Sequence, residues 1–525
     1  MNNTKVLETL DKNPKMRKKI FCRGFVFATE KLNEQDYPFY GNWISHSIKE
    51  FHLLTHPETM TAAYNGLTFS WVLIGHAYNP ISGMYKENTI LEELDAYYSA
   101  NNTQAFFDTL NQLTGIFTLI WTNGTETFFV GDATCMQTTF YTLHNENVYI
   151  SSHANLLGDL LCLQWDEYVK RLANYRFFKL FGNSLPGDIS QFSNVKRAVP
   201  NFYYEATKES IKEKRFYIPK KLSLSTDEIS ERVSVLLNSN LTLIAQKWND
   251  PAISLTGGCD SKTTLSCAKG LYDKFSYFSY ISSDEEKVDA EGARLICDSL
   301  GLEHKTFFIP QNDSDIPNVE DIRTMLFWND GALRPNNKND VRKRAVLDDE
   351  FEYDVEVKSW ASEIGRAYYS KRFNGRKNFG SKPTPRKCTT LYKIFLHDRK
   401  LVRDTDKIFA AYLKKYFQQD KTAPLEWQEQ FFWEFRVSSW NALVITAAHR
   451  YSFDITIPYN NRYLLEYLLS APIDDRISDT VYKQIRSQMN PEIDKTGIAI
   501  TNVKHTDTRA KFENWYYRIH TKIPF

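Results

Sequence analysis

The chain has 525 residues, 42% hydrophobic and 25% charged, which fits a folded protein of two or three domains and excludes a disordered or fibrous one. Lys plus Arg (65) nearly equals Asp plus Glu (64), so no overall field points to nucleic acid or an anionic membrane. The seven cysteines form no C-x-x-C pair, which signals neither a disulfide framework nor a zinc site. With a polar start (Met1-Asn2-Asn3-Thr4-Lys5) and no apolar run of membrane-spanning length, a cytoplasmic, soluble protein is expected.

From about residue 18 to 217, short apolar runs alternate with turn residues: Ile20 to Ala28, Thr68 to Ile74, Gly115 to Trp121, Thr127 to Val130, Thr138 to Thr142 and Val148 to Ser151. Such spacing predicts an antiparallel β-rich unit with a few helices. After Pro219-Lys220-Lys221 a periodic stretch runs from Ser225 to about Trp248, with Asp227 or Thr226 as its expected cap. Next come Ala252 to Leu255 as a strand, a helical pattern from Lys262 to Leu271, strand-like Phe275 to Ile281, a helix over Glu286 to Leu300 and a strand over Lys305 to Ile309. This β-α-β-α-β order predicts a parallel, doubly wound sheet. The basic stretch Lys371 to Lys387, rich in Gly, Asn, Ser and Pro, reads as an exposed loop, and the remainder as mainly helical. The expected division is residues 1–217 and 218–525.

Between the first parallel strand and its helix stands Ser254-Leu255-Thr256-Gly257-Gly258-Cys259-Asp260-Ser261. A small-residue turn opening a helix gathers free backbone N–H groups and the positive end of the helix dipole, as a polyphosphate requires. Thr256, Ser254 and Ser261 can add hydroxyls, and Asp260 can hold Mg²⁺. The spacing matches neither a P-loop nor a dinucleotide fingerprint.

Residues 254–261 resemble the S-G-G-x-D-S loop of the N-type ATP pyrophosphatases. Further stretches are similar to the asparagine synthetase and β-lactam synthetase family: Leu113 to Leu119, Phe129 to Ala133, Thr139 to Tyr141, Tyr149 to Ser152, Leu180 to Asn183, Ala198 to Pro200 and Arg215 to Tyr217 in an N-terminal Ntn amidotransferase-like half, then Ala447 to Tyr459 and Asn490 to Gly497. The resemblance runs from about residue 18 to 500 and is weakest between 310 and 430.

It implies an α/β protein, with an N-terminal α+β antiparallel sandwich followed by a doubly wound ATP pyrophosphatase unit and a mainly helical C-terminal part. It also implies ATP and Mg²⁺ as cofactors, with Ser254, Leu255, Thr256, Gly257, Gly258, Asp260, Ser261 and Tyr280 on the nucleotide. Asp260 and Glu363 would bind metal, and Lys495 would stabilise the transition state as a positive charge aimed at the phosphates. The implied activity is amide-bond formation through an acyl-adenylate, from a small-molecule or peptide carboxylate and an amine or ammonia. Neither nucleic acid nor membrane is an implied partner, and a homodimer is the assembly the resemblance allows.

Three departures qualify this. Asn2 follows Met1, so the terminal cysteine of a glutamine-hydrolysing member is missing, and Cys22 would serve only after removal of 21 residues. Gly75-His76-Ala77-Tyr78-Asn79 matches the glutamine-binding segment loosely. The family's G-D-G-x-D-E becomes Lys358-Ser359-Trp360-Ala361-Ser362-Glu363, in which only Glu363 keeps a carboxylate, and Arg366 follows with a fork suited to phosphate or carboxylate. The alternatives are therefore an asparagine synthetase processed at Cys22 and a catalytically silent ATP-binding scaffold.

Overall fold

A computed structural model of the chain describes residues 3–49, 51–182, 184–331, 337–392, 396–417, 425–446, 449–496 and 507–522. Asn183, Ala447, Ala448 and Gly497, which contribute to the resemblance above, lie outside the described residues.

Twelve strands build the antiparallel part: β1 (Phe25–Ala28), β2 (Ile44–Ile48), β3 (Phe51–Thr55), β4 (Thr61–Asn65), β5 (Ser70–Tyr78), β6 (Thr114–Thr122), β7 (Thr127–Gly131), β8 (Phe140–His144), β9 (Asn147–Ser151), β10 (Lys196–Arg197), β11 (Phe202–Ala206) and β12 (Ile211–Arg215). They form two six-stranded sheets, ordered β10-β8-β9-β1-β3-β2 and β12-β11-β7-β6-β5-β4. Alternation decides the layering, because successive side chains of a strand face opposite ways. Phe25, Phe27 and Ile150 of the first sheet share a core with Val72, Ile74, Ile120 and Phe129 of the second. On the outer faces, Val26, Ala28 and Tyr149 meet Leu156, Leu157, Val169 and Leu172 of two short helices. Trp71, Leu73, Leu119 and Trp121 meet Ile90, Leu94, Phe106 and Leu110 of two others. The result is a helix–sheet–sheet–helix sandwich.

The chain ahead of β1 differs from expectation. Instead of a strand from Ile20, a helix at Thr4–Lys12 and a 3-10 turn at Pro14–Lys18 precede a tight bend in which Phe21 (φ 49°) and Arg23 (φ 53°) adopt left-handed backbone. That bend delays β1 to Phe25. Val6, Leu10, Ile20 and Phe21 are buried in the sandwich's outer core.

The helix Thr226–Lys247 follows. Its cap is Ser225 rather than Asp227 or Thr226, because the Ser225 hydroxyl and the Glu228 carboxylate form a reciprocal capping box. Beyond it lie β13 (Pro251–Ser254), β14 (Ser276–Ile281), β15 (Lys305–Phe308), β16 (Val355–Val357) and β17 (Ile455–Thr456). All four pairings are parallel, in the order β15-β14-β13-β16-β17. The chain moves outward from β13 through β14 to β15, then returns to the other side of β13 with β16. The carboxyl ends of β13 and β16 thus flank a topological switch point, where an open parallel sheet offers a crevice for ligands.

The C-terminal part is mainly helical and includes a π-helical stretch, Phe432–Thr446, a rare geometry. The basic stretch is the expected loop over residues 373–384, most of them exposed. It begins within the helix Tyr368–Arg372 and ends within Pro385–Tyr392. Its charges are tied down: Arg372 to Glu513, Arg386 to Asp406, Lys371 to Asp479 and Lys377 to Asp474. Among the described residues no helix is long and apolar enough to cross a membrane.

Candidate nucleotide site

The loop joining β13 to the helix Cys259–Cys267 is shaped by its own hydroxyls. Ser261 Oγ donates to the Thr256 carbonyl at 2.8 Å and accepts from the Thr256 N–H at 3.2 Å, while the Gly258 N–H donates to Thr256 Oγ1 at 3.1 Å. Ser261 is therefore a brace that bends the turn. Leu255 is buried and extends the sheet, its N–H bonded to the Phe278 carbonyl at 2.8 Å. Ser254 is the last residue of β13, paired with Phe278. Gly258 occupies the N-cap with no side-chain acceptor, so the first turn of the helix, which carries Asp260, has no side-chain cap. Gly257 faces the carboxylate of Asp289, and its N–H steadies that charge against burial and the neighbouring Glu286, which raise it.

Across the switch point, the exit of β16 supplies the opposing wall. Ser359 and Thr264 share a hydroxyl hydrogen bond at 2.7 Å, joining that exit to the loop helix. Arg366 Nη1 donates to Asp260 Oδ2 at 2.6 Å, and its Nε and Nη2 grip both oxygens of Asp479 at 2.8 and 2.9 Å. Burial disfavours the charge on Arg366, but the two carboxylates more than restore it. Lys371, also on Asp479, is held below the usual lysine range by burial and by the Arg366 charge.

Glu363 is half-buried beside Asp260. Burial raises its carboxyl and the Asp260 charge adds to the effect, partly offset by its own backbone N–H and the amide of Asn441 from the π-helical stretch. Asp260 Oδ1 is buried with no hydrogen-bond partner. Two neighbouring carboxylates, one with an unsatisfied oxygen, are a donor set that fits one hard divalent cation. Arg366 holds the remaining oxygen of Asp260.

Tyr280 lies on β14 and Lys358 directly follows β16, the two strands that flank β13. Lys358 Nζ reaches the Tyr280 hydroxyl at 3.4 Å across the exit of β13, and Lys343 Nζ lies 4.2 Å from the Tyr280 ring centre. Burial opposes ionisation of this phenol, yet the two ammonium groups outweigh it and lower it. Lys495 lies on the short helix Glu492–Lys495, exposed, and pairs with Glu492 at 2.6 Å. The charged partners of the loop that sequence did not single out are Asp289, Asp479 and Arg486. Arg486 Nη1 lies 3.2 Å from the Cys259 sulfur and 3.1 Å from Thr263 Oγ1. Only the structure brings these together, since each is remote from the loop in sequence and follows no motif.

Cys22 sits in the bend before β1, buried, with Arg23, Glu58 and the Tyr451 carbonyl around its sulfur. Burial pushes its thiol up to about 11, with Arg23 opposing. Gly75 to Asn79 lies on and just after β5; the Tyr78 hydroxyl is 3.1 Å from Thr456 Oγ1, and the His76 ring is buried against Trp248.

No family model and no curated protein matches this chain. Among solved structures it is similar to a glutamine phosphoribosylpyrophosphate amidotransferase from B. subtilis complexed with ADP and GMP, at 10% identity over 52% of this chain and 61% of that one, with a TM-score of 0.22. It is also similar to an allosteric regulatory enzyme of purine biosynthesis, at 9% identity over 50% and 60% of the two chains, with a TM-score of 0.24. The matched region spans about three fifths of the length of each. A likeness this faint defines neither a fold nor a function for the chain.

Proposed function

We propose that the chain is an ATP-dependent carbon–nitrogen ligase of the asparagine synthetase and β-lactam synthetase type, its residues 218–525 forming the synthetase unit. The observation that carries this reading is the loop Thr256–Ser261, set at the switch point of a parallel sheet with Asp260 in the first turn of its helix. Backbone N–H groups and the helix terminus suit the triphosphate. A substrate carboxylate then attacks the α-phosphate, pyrophosphate leaves, and a nitrogen nucleophile, from an amine or ammonia, resolves the adenylate to an amide. Holding the reacting groups side by side supplies much of the acceleration.

Asp260 and Glu363 would hold Mg²⁺, which when bound offsets phosphate charge. Tyr280 would border the nucleotide. Lys495 would stabilise the departing charge, which requires it to leave Glu492 for the loop. The reading also places the protein in the cytoplasm, with the homodimer as its assembly.

The N-terminal sandwich, residues 1–217, is proposed as an amidotransferase-like unit without glutaminase activity. Four apolar side chains ahead of Cys22 are buried, and at about 1.5–3 kcal/mol each their removal would forfeit roughly 6–12 kcal/mol. That weighs against processing at Cys22. The ion pair between Arg366 and Asp260 favours a second reading, a silent ATP-binding scaffold, because it occupies a carboxylate the reaction uses.

The test is product analysis with ATP, Mg²⁺ and a panel of carboxylates and amines. AMP and pyrophosphate support the ligase, whereas ADP and orthophosphate contradict it.

A further inference from the structure

We infer that Arg366 is a built-in cation of the phosphate cradle, standing where a second divalent ion would otherwise balance the loop carboxylate. The inference rests on the nucleotide reading above and adds to it how the site manages charge.

The placement of Arg366 is enforced by the backbone. The 3-10 turn Ser362–Arg366 is bracketed by Ala361 (φ 66°) and Ala367 (φ 49°), both left-handed and fully buried. Such conformations cost energy for a residue with a Cβ and persist where surroundings over-determine them, often at functional sites. Those surroundings are visible. The Tyr482 hydroxyl donates to the Ser362 carbonyl at 2.6 Å, and a Cβ on Gly365 would stand 2.6 Å from Leu468 Cβ and 3.0 Å from the Tyr482 oxygen. The turn is thereby pressed against the helix Arg462–Ser470, and its last residue is delivered to the loop.

The charges explain why that delivery matters. Asp260 and Glu363 bring two carboxylates together at the loop, and Ser359, a hydroxyl, stands at the exit of β16 against the loop helix. One oxygen of Asp260 belongs to Arg366 while the other is buried and unbonded, so a single divalent cation and Arg366 can share the carboxylate. Arg366 is also anchored on Asp479, which keeps it beside the loop if Asp260 turns to a metal. A guanidinium stays charged at every working pH and grips phosphate oxygens in a planar fork. It can exchange the Asp260 oxygen for a phosphate oxygen without leaving Asp479.

The experiment is calorimetric titration of the full chain with ATP, in Mg²⁺ and in EDTA, for the wild type, Arg366→Gln and Arg366→Lys, with circular dichroism as the check on folding. The wild type should bind in EDTA within ~10-fold of its affinity in Mg²⁺, and Arg366→Gln should bind ~10–100-fold more weakly than wild type in EDTA but recover most of that in Mg²⁺. Arg366→Lys, which keeps the charge without the fork, should fall between and carries the test should the glutamine variant not fold. Equal Mg²⁺ dependence in wild type and the folded variants overturns the inference and leaves the nucleotide reading standing. A wild type that binds no ATP even with Mg²⁺ overturns both.

Discussion

Asn460, four residues beyond β17, donates its side-chain amide to the carboxylate of Asp132 at 2.9 Å, so the parallel-sheet part of the chain completes a hydrogen-bond shell begun in the antiparallel part. Asp132 also accepts from the backbone N–H groups of Phe117, Thr134, Met136 and Gln137. Burial still raises it, with these donors opposing. The Asn460 amide further reaches the Gly115 carbonyl at 2.6 Å, and its oxygen accepts from Thr134. Asn460→Ala removes these at once from a buried contact and should cost about 1–3 kcal/mol, read as a lower urea midpoint. An unchanged midpoint would show that this contact does not contribute to holding the two parts together.

Gly365→Ala should also destabilise the chain, because its new methyl meets Leu468 and Tyr482. The cost of such overpacking is about 1–3 kcal/mol. Because the same turn carries Glu363 and Arg366, ATP affinity should fall with it. Thermal unfolding and ATP titration of one preparation check both.

The pH dependence follows from Asp479. Burial raises its carboxyl, but Arg366 and Lys371 outweigh that and hold it below its ordinary value. A depressed folded pKa stabilises the native state at pH values above the unfolded value, about 3.9, and the contribution fades as pH falls through the lower folded value. Wild type should therefore lose stability on acidification below about pH 4. Asp479→Asn should be less stable at neutral pH and show a shallower loss across that acid window. Parallel urea titrations at pH 7 and across the acid range measure the difference.

Cysteine chemistry tests the role of the N-terminal sandwich. Cys22 is buried with its thiol raised, whereas Cys162 is exposed. Since the thiolate is the reacting form, brief iodoacetamide treatment at neutral pH should label Cys162 and spare Cys22, as peptide mass mapping would show. Selective capture of Cys22 by a glutamine-analogue electrophile would instead revive the glutaminase reading.

Much of the site's frame was legible in the sequence. The run Ala252 to Leu255, the two glycines and the helix after them emerged as strand, turn and helix because both periodicities are local. The next strand and the helix after it were placed within a residue or two. The expected cap of the long helix, Asp227 or Thr226, lies one or two residues past the actual one, since Ser225, Thr226 and Asp227 all have capping side chains and only the reciprocal bond to Glu228 separates them. The basic stretch is a loop over residues 373–384, as its composition predicts, but the anchoring of its charges is not legible. Glu513, Asp406 and Asp479 supply its counter-charges from distant sequence. The edge strand Ile44–Ile48 escaped notice because its Ile-Ser-His-Ser-Ile run is largely solvent-facing and weakly apolar. Arg366 was legible as a candidate anion ligand, but its grip on Asp260 was not, because 106 residues separate them.

The central claim is that Thr256–Ser261 cradles the phosphates of ATP. A crystal structure of the full chain with ATP and Mg²⁺ tests it most directly. The account predicts the triphosphate on the backbone of this loop, with one metal between Asp260 and Glu363 and Arg366 turned to a phosphate oxygen. Nucleotide bound elsewhere, or a loop left empty at saturating ATP, would contradict it.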